Sequence, residues 1–263
     1  MARVSGASIR RLHRGTFAAW SDSSRGDLRP TGHGPDDGAA LGTLALELAR
    51  ESGGSVERVA WMTQVHGSDV RAVSWESTPD GRVGAPAMWH LGEGDAVTSV
   101  TPGVALCVLT ADCGALALAS PEGFFGAVHA GWRGLRDGVV EAAVERLRGW
   151  GATDVVGSLG PCIHPGCYEF AQDDLDSVAD VYGGQVRGRT TAGRPALDVP
   201  AAIAVALARA GGRMVTGVDS CTACGGASFS HRARADAGRQ ALVVWTSVPE
   251  AGPAAAPDAD ADA

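Results

Sequence analysis

One predicted hairpin constrains this 263-residue chain more than any other feature. Two strand-length apolar runs, 115–119 and 124–128, flank a Pro-Glu-Gly segment at 121–123. Apolar runs joined by such a short turn are typical of a β-hairpin. A hairpin centred on residue 121 places Cys113 opposite His129, to within one or two residues of register. Because opposed Cβ atoms lie about 5 Å apart, a thiolate and an imidazole there can reach one metal ion.

Short apolar runs alternate with segments of helical periodicity along the rest of the chain. Further strands are predicted at 59–62, 70–75, 104–109, 155–159, 213–218 and 240–244, and helices at 41–51, 135–147, 174–181 and 199–210. Adjacent strands with interspersed helices predict an α+β fold of mixed sheets with helices packed outside, as a layered α/β/β/α sandwich. The sequence has no strand–GxGxxG–helix unit, which argues against dinucleotide binding.

Composition predicts one folded domain and a short tail. Hydrophobic residues make up 45% and charged residues 20% of the chain, close to the globular average, so 1–248 is predicted as a single domain. Only Ala, Pro, Gly, Asp and Glu occur in 249–263, which is typical of a disordered acidic tail, and 21–40 is predicted as a long loop. Since 1–15 lacks the apolar segment of a signal peptide and no run of about 18 apolar residues occurs, we expect a cytoplasmic protein without a membrane span.

The charge of the chain limits its partners. The formal net charge is −8, whereas a basic surface is the usual footprint of nucleic-acid binding. We therefore expect no nucleic-acid partner. The sequence contains no Lys, which excludes Schiff-base chemistry. An anionic substrate group must then be held by Arg, backbone N–H groups or a metal ion.

His66 is the best candidate for a third ligand, because it precedes Gly67 where the chain leaves a predicted strand. Two His and one Cys leave a fourth tetrahedral position open, as in catalytic zinc sites. The residues alone leave two alternatives. Cys113 and His129 can simply pack in the core, or they can act without metal, Cys113 as a nucleophile and His129 as its base.

Several motifs together resemble the multicopper polyphenol oxidase or laccase-domain family, which includes the bacterial peptidoglycan editing factor. They are Gln64-Val65-His66-Gly67, Thr110-Ala111-Asp112-Cys113, His129-Ala130-Gly131-Trp132-Arg133-Gly134, Gly160-Pro161-Cys162-Ile163, Cys167-Tyr168-Glu169, Leu197-Asp198-Val199-Pro200, Cys221-Thr222, Phe229-Ser230-His231-Arg232 and Gly238-Arg239. The resemblance implies a zinc ion, or copper as an alternative, bound by His66, Cys113 and His129. It also implies purine nucleosides and inorganic phosphate as substrates. Laccase chemistry needs several coppers and many His ligands, and seven His in total make it unexpected here.

Parts of the family pattern are altered, mainly where substrate contacts are expected. The segment Phe17-Ala18-Ala19-Trp20-Ser21 lacks the usual Arg and Gly pair, and Ser230-His231-Arg232-Ala233-Arg234 replaces Ser-Tyr-Arg-Arg-Asp. The three ligand positions are intact. The metal site is therefore a firmer expectation than the substrate.

Six further residues are candidates around the metal. Arg133 lies at a Gly-rich turn that opens a helix, so it is predicted to help hold phosphate. The alternative is that Arg133 forms an ion pair with a nearby carboxylate. By resemblance, Gln64, Ser230 and Arg232 are candidate substrate contacts. Asp112, next to Cys113, is predicted to orient a ligand or to cap a turn. Asp95 matches the Asp-Ala pattern that the family has before a strand, and the resemblance makes it a candidate to orient a ligand.

The Cys-x-x-Cys pair at 221–224 has no second pair of matching spacing, so these residues are predicted as structural thiols.

The predicted function is a zinc-dependent enzyme that processes purine nucleosides. Phosphorolysis of adenosine, inosine, guanosine or methylthioadenosine and deamination of adenosine are both expected from the resemblance. A metal-free Cys-His hydrolase or deamidase is one alternative. A peptidoglycan-precursor editing factor, which recognises a nucleotide-linked sugar, is the other.

Overall fold

Two mixed β-sheets form the frame of the computed structural model, which describes residues 2–4, 6–13, 15–30, 37–74, 86–246 and 248–249. The strands are β1 (Ala2–Val4), β2 (Ala7–His13), β3 (Thr16–Ser21), β4 (Gly54–Ser55), β5 (Arg58–Thr63), β6 (Val70–Val73), β7 (Ala87–Glu93), β8 (Ala96–Ser99), β9 (Val104–Thr110), β10 (Gly114–Ala119), β11 (Phe125–Ala130), β12 (Val156–Leu159), β13 (Arg187–Arg189), β14 (Pro195–Leu197), β15 (Arg213–Met214), β16 (Gln240–Thr246) and β17 (Val248–Pro249). The helices are α1 (Ala39–Glu51), α2 (Trp132–Arg136), α3 (Val139–Gly149), α4 (Gln172–Tyr182), α5 (Val199–Arg209) and α6 (His231–Arg234).

The first sheet has the strand order β1-β2-β3-β16-β9-β5-β7, and the second has the order β15-β12-β10-β11-β8-β6. Both sheets are mixed. In the first, β5 runs parallel to β7 and to β9, while the other pairs are antiparallel. In the second, β6 is parallel to β8 and β12 to β15. Two small two-stranded sheets, β13-β14 and β4-β17, complete the pairing of the described strands.

The two large sheets pack face to face, with helices on both outer faces. In β9, Leu106 points into the core between the sheets and Cys107 into the core that contains α1. In β10, Ala117 faces the core between the sheets and Leu118 faces α3, α4 and α5. Strands buried on both faces carry nearly continuous apolar runs, which is the pattern seen in the sequence. The predicted α+β fold with α/β/β/α layers is confirmed.

Local details differ from the sequence predictions. The predicted helix 135–147 is interrupted, because Gly138 adopts a positive φ of 86° between α2 and α3. The predicted strand 213–218 is paired as a strand only over Arg213–Met214, and the N-terminal strands β2 and β3 were not predicted.

The predicted loop 21–40 contains a short 3-10 turn, Ser23–Arg25, and ends where α1 begins at Ala39. Residues 31–36 of the predicted loop, residue 75 of the predicted strand 70–75 and residues 250–263 of the predicted tail lie outside the described residues. The single domain over 1–248 stays a prediction. Among the helices of the described ranges, none has the length and apolar character needed to cross a bilayer.

Candidate metal centre

The three predicted ligands lie where strands of both sheets end at one edge. His66 follows β5, and Cys113 lies between β9 and β10, where the chain passes from the first sheet to the second. His129 is near the end of β11. Because β5 and β9 are parallel neighbours, their carboxyl ends meet. Because β10 and β11 are antiparallel, the start of β10 lies beside the end of β11. The topology thus brings the three residues together.

The register of the hairpin differs from the predicted one by no more than the one or two residues that the prediction allowed. Ala115 pairs with His129 and Gly114 with Ala130, so the turn is centred on residue 122 and not 121. Cys113 is therefore two residues before the partner of His129. A shift of two residues keeps a side chain on the same side of the strand. Cys113 and His129 consequently remain diagonal neighbours.

The distances fit one metal ion. The His66 Nε2 atom lies 3.8 Å from Cys113 Sγ, and the rings of His66 and His129 are 4.9 Å apart at 81°. The three ligand atoms all lie within 4.8 Å of one another. A tetrahedral ion with bonds of about 2.0–2.3 Å holds its ligand atoms roughly 3.3–3.8 Å apart. Two imidazoles and a thiolate at these separations can hold one metal ion with little rearrangement.

A buried carboxylate, Asp95, holds two of the three ligands. Its Oδ1 accepts hydrogen bonds from His129 Nδ1 at 2.8 Å and from the His66 backbone N–H at 2.9 Å. Its Oδ2 accepts from the N–H groups of Gly67 at 2.7 Å and Val65 at 3.2 Å. Since the His129 Nδ1 bonds to the carboxylate, Nε2 is the ring nitrogen that can bind a metal ion once its proton is displaced. Asp95 therefore fixes both the His129 ring and the loop that carries His66.

The backbone around the ligands is held in unusual conformations. His66 and Asp112 have φ values of 62° and 93°, in the left-handed region that costs a non-glycine residue about 1–3 kcal/mol. A Cβ atom on Gly131 would lie 2.7 Å from His66 Cδ2 and 3.5 Å from Cys113 Sγ. Only glycine fits at this position, because the ligands pack directly against its backbone.

The charges of the ligands are coupled. Burial opposes ionisation of Cys113, but the neighbouring His129 and, less strongly, His66 outweigh it and lower the pKa of the thiol to about 6. Burial also opposes protonation of His129, yet Cys113 and then Asp95 raise the pKa of its imidazole to about 9. Without metal, the site therefore holds a thiolate–imidazolium pair at neutral pH. A cation that binds here replaces the proton on His129.

A cavity of about 530 Å³ opens over this cluster. Its other lining residues include four arginines, three aromatic residues and part of the β9–β10 connection: Arg29, Arg133, Arg232, Arg239, Trp61, Trp132, Tyr168, Thr110, Ala111 and Asp112. The Arg133 guanidinium lies 4.3 Å from the centre of the Trp132 ring, and no carboxylate of the described residues forms an ion pair with it. Arg232 lies 4.6 Å from the centre of the Tyr168 ring.

Two predicted substrate contacts have structural partners. The Gln64 amide donates to the Leu109 carbonyl at 2.7 Å and accepts from the Leu109 N–H at 2.8 Å, which extends the pairing of β5 with β9. Gln64 lines the cavity with both amide atoms occupied. Ser230 is buried, accepts a hydrogen bond from the Ala233 N–H and caps α6. It is not among the residues that line the cavity.

Asp112 joins separate segments at the cavity wall. Its carboxylate accepts from the Thr222 hydroxyl at 2.6 Å and from the Arg232 backbone N–H at 2.7 Å. The Arg232 guanidinium also donates to the carbonyl of Glu169 at 2.7 Å. Asp112 thus positions the wall next to Cys113, and within the part of the chain that the structure describes its carboxylate forms no hydrogen bond with a ligand side chain.

Several cavity residues were not singled out from the sequence, among them two aromatic residues and two arginines. Tyr168 and Trp132 lie within family-like motifs, so the motifs themselves were a usable signal for them. Arg239 lies in such a motif as well, whereas Arg29 lies in the loop 21–40 and has no periodicity or motif that marks it.

Fold and site together define a four-layer α/β protein in which a cluster of two histidines and one cysteine lines a cavity. The family described as "Multi-copper polyphenol oxidoreductase laccase" matches residues 21–247. The chain belongs to this family.

Similar proteins extend over most of the chain. "Purine nucleoside phosphorylase ORF3" of Streptomyces griseus is 39% identical over 223 residues, 84% of this chain and 87% of that protein. "Purine nucleoside phosphorylase Rv2149c" of Mycobacterium tuberculosis is 36% identical over 81% of this chain and 82% of its own length. Two crystal structures share the fold. Neisseria meningitidis protein NMB0706 has a TM-score of 0.71 at 22% identity and covers 92% of this chain and 100% of its own. YlmD from Geobacillus stearothermophilus has a TM-score of 0.69 at 25% identity and covers 89% and 93%.

Replacing Asp95 with Asn tests the role of the carboxylate. An Asn side chain has one acceptor oxygen, whereas both carboxylate oxygens of Asp95 accept hydrogen bonds. The NH₂ group of Asn would face other N–H donors, to which it cannot bond. We expect Asp95→Asn to lower metal affinity about 10- to 100-fold, the usual cost of losing a partner that orients a ligand. Titration with zinc against a competing chelator measures this. Asp69→Asn, at an exposed position on the loop that carries His66, is the control. Equal affinities in the two variants would contradict the role of Asp95.

Proposed function

We propose that this protein is a purine nucleoside-processing enzyme and that phosphorolysis is its main reaction. The observation that carries the proposal is the opening of the cluster of His66, Cys113 and His129 into a cavity that is also lined by Arg133 and Arg232. The relatives named purine nucleoside phosphorylase, at 36–39% identity, support the substrate class. The proposed substrates are a purine nucleoside and inorganic phosphate.

We propose zinc as the ion at this site. Imidazole and thiolate ligands both suit zinc, and three protein ligands with one open position are typical of its catalytic sites. When bound there, a zinc ion supplies a Lewis acid that polarises a substrate atom. Within the described residues, only two groups of at least three possible ligands occur, and only this one contains His. That favours a single-ion site over the several His-ligated coppers that laccase chemistry needs.

The cavity residues fit the two halves of the reaction. In phosphorolysis, a phosphate oxygen attacks C1′ of the ribose, the bond from C1′ to the purine nitrogen breaks, and the purine leaves with the electron pair and takes up a proton. Arginine holds phosphate well because its planar guanidinium forms paired, charge-assisted hydrogen bonds. Arg133 is suited to this role, since no carboxylate of the described residues neutralises it. Trp132 and Tyr168 supply aromatic faces, and stacking of a base on such a ring contributes about 1–3 kcal/mol.

Adenosine deamination is part of the same proposal as a second reaction. Zinc deaminases also use three protein ligands with one position open to solvent, so the cluster meets their first requirement. The editing of a peptidoglycan precursor would use the same cavity for a nucleotide-linked sugar. Assays of nucleoside turnover distinguish an enzyme that acts on nucleosides from an editing factor.

Phosphate-dependent release of hypoxanthine from inosine tests the main reaction, and release of ammonia from adenosine tests the second. We expect Arg133→Ala to raise the KM for phosphate about 10- to 100-fold, because a hydrogen bond to a charged group contributes about 1.5–3 kcal/mol. Arg146→Ala, at an exposed position of α3, should leave this KM unchanged. No hypoxanthine release by the zinc-loaded wild-type protein would contradict phosphorolysis. No turnover of either nucleoside would favour the editing role.

The lowered pKa of Cys113 favours one rival function. A thiol with a pKa of about 6 beside an imidazole is the arrangement of cysteine hydrolases and deamidases. In that reading Cys113 is the nucleophile and His129 its base, with no metal. The state of the thiol in the purified protein separates the two functions.

Alkylation by iodoacetamide, located by peptide mass spectrometry, reports that state. If zinc is bound, Cys113 should resist labelling until a chelator is added. After chelation, the labelling rate should rise as the pH increases through about 6 and then level off, because the thiolate is the reactive form. Buried Cys107, whose pKa is raised to about 12 by burial, should stay unlabelled throughout. Rapid labelling of Cys113 in metal-free protein as purified would favour the hydrolase.

A further inference from the structure

Three cysteines outside the cluster described above also converge. The Sγ atoms of Cys167, Cys221 and Cys224 all lie within 4.8 Å of one another, and those of Cys167 and Cys224 are 3.1 Å apart. Cys167 ends a short 3-10 turn, Pro165–Cys167, whereas the other two share one turn more than fifty residues later. Sequence spacing could not reveal this third thiol, because the fold brings it to the pair.

We propose that Cys167, Cys221 and Cys224 form a second metal site, which takes a soft d10 cation, Zn²⁺ or Cu⁺. Thiolate sulfur selects these ions over harder ones. Three sulfurs around a tetrahedral zinc ion lie roughly 3.8 Å apart, between the 3.1 Å of the nearest pair and the 4.8 Å limit of the group. All six cysteines are free, and a disulfide would need the nearest pair to close to about 2.05 Å.

A backbone N–H group beside Cys221 supports a metal-bound sulfur. The His164 N–H donates to Cys221 Sγ, with the nitrogen 3.4 Å from the sulfur. Such a bond to a ligand atom orients it and stabilises its negative charge. Cys224 is exposed and Cys167 half-buried. An ion can therefore enter from solvent, and solvent can fill the fourth position.

The position of the three cysteines gives this site a structural role. Cys162 pairs with Cys221 in a β-bridge, and the Thr222 N–H donates to the Cys162 carbonyl at 3.1 Å. Thr222 in turn donates through its hydroxyl to Asp112, the neighbour of Cys113. Tyr168, next to Cys167, lines the cavity. An ion held by the three thiolates therefore fastens together the two segments that form one wall of the cavity.

Metal content in a Cys113→Ser background tests the proposal, because this substitution removes a ligand of the first site. Reduced protein is equilibrated with Zn²⁺, or under anaerobic conditions with Cu⁺, then desalted and analysed by elemental mass spectrometry. We expect Cys113→Ser to retain about one ion per chain and Cys113→Ser/Cys224→Ser to retain none. Cys113→Ser/Cys107→Ala, which removes a buried cysteine of β9, should behave like Cys113→Ser. Retention of either metal by Cys113→Ser and its loss in Cys113→Ser/Cys224→Ser supports the site, and the two arms show which ion it prefers.

Thermal unfolding provides a readout that depends on neither catalysis nor the first site. A ligand that binds only the folded state raises Tm, so the metal should raise the Tm of Cys113→Ser and not that of Cys113→Ser/Cys224→Ser. Cys224 is exposed, so its replacement should not prevent folding. Equal metal content and equal Tm in these two variants, with both metals, would overturn the proposal. A Cys167–Cys224 disulfide whose reduction restores no metal uptake would do so as well.

Discussion

The buried carboxylate of Asp95 connects two parts of the chain that must meet for the candidate centre to exist. It accepts hydrogen bonds from three consecutive backbone N–H groups, at 65–67, and from the ring of His129. Burial alone would raise the pKa of Asp95. The hydrogen bond from His129 and the positive charge of that ring outweigh the effect of burial, so the pKa is lowered. The carboxylate therefore stays charged. It accepts hydrogen bonds from backbone N–H groups of a loop that has no strand partner, and it also orients the His129 imidazole toward the other two ligands.

The layered fold supplies the other constraint. Cys113 lies where the chain leaves β9 in the first sheet and enters β10 in the second, so its position is set by the contact between the two sheets. The positive φ of Asp112 allows this sharp change of direction, and the Asp112 carboxylate is bonded to Thr222 and Arg232. The candidate centre thus depends on side-chain bonds from distant segments, and the strained backbone beside it is held by those bonds.

Local patterns predicted much of this arrangement. The apolar runs around the turn at 121–123 were enough to bring Cys113 close to His129, because strand register follows turn position and the alternation of side chains. His66 was chosen because it precedes Gly67 where the chain leaves a predicted strand, and the family-like motifs pointed to the same residue. The N-terminal strands were missed because β2 has two Arg and one His among its seven residues and so lacks a continuous apolar run, and because the second partner of β3, strand β16, lies more than two hundred residues away, which no local pattern encodes. For the same reason neither Arg29 in the cavity wall nor Cys167 beside Cys221 and Cys224 could be placed from the sequence.

We propose that His66, Cys113 and His129 together hold one zinc ion in the cavity that they line. Anomalous X-ray diffraction at the zinc edge, from crystals of the protein purified with zinc, tests it most directly. The account predicts an anomalous peak within bonding distance of His66 Nε2, Cys113 Sγ and His129 Nε2. A zinc-replete crystal with no peak among these three atoms would contradict it.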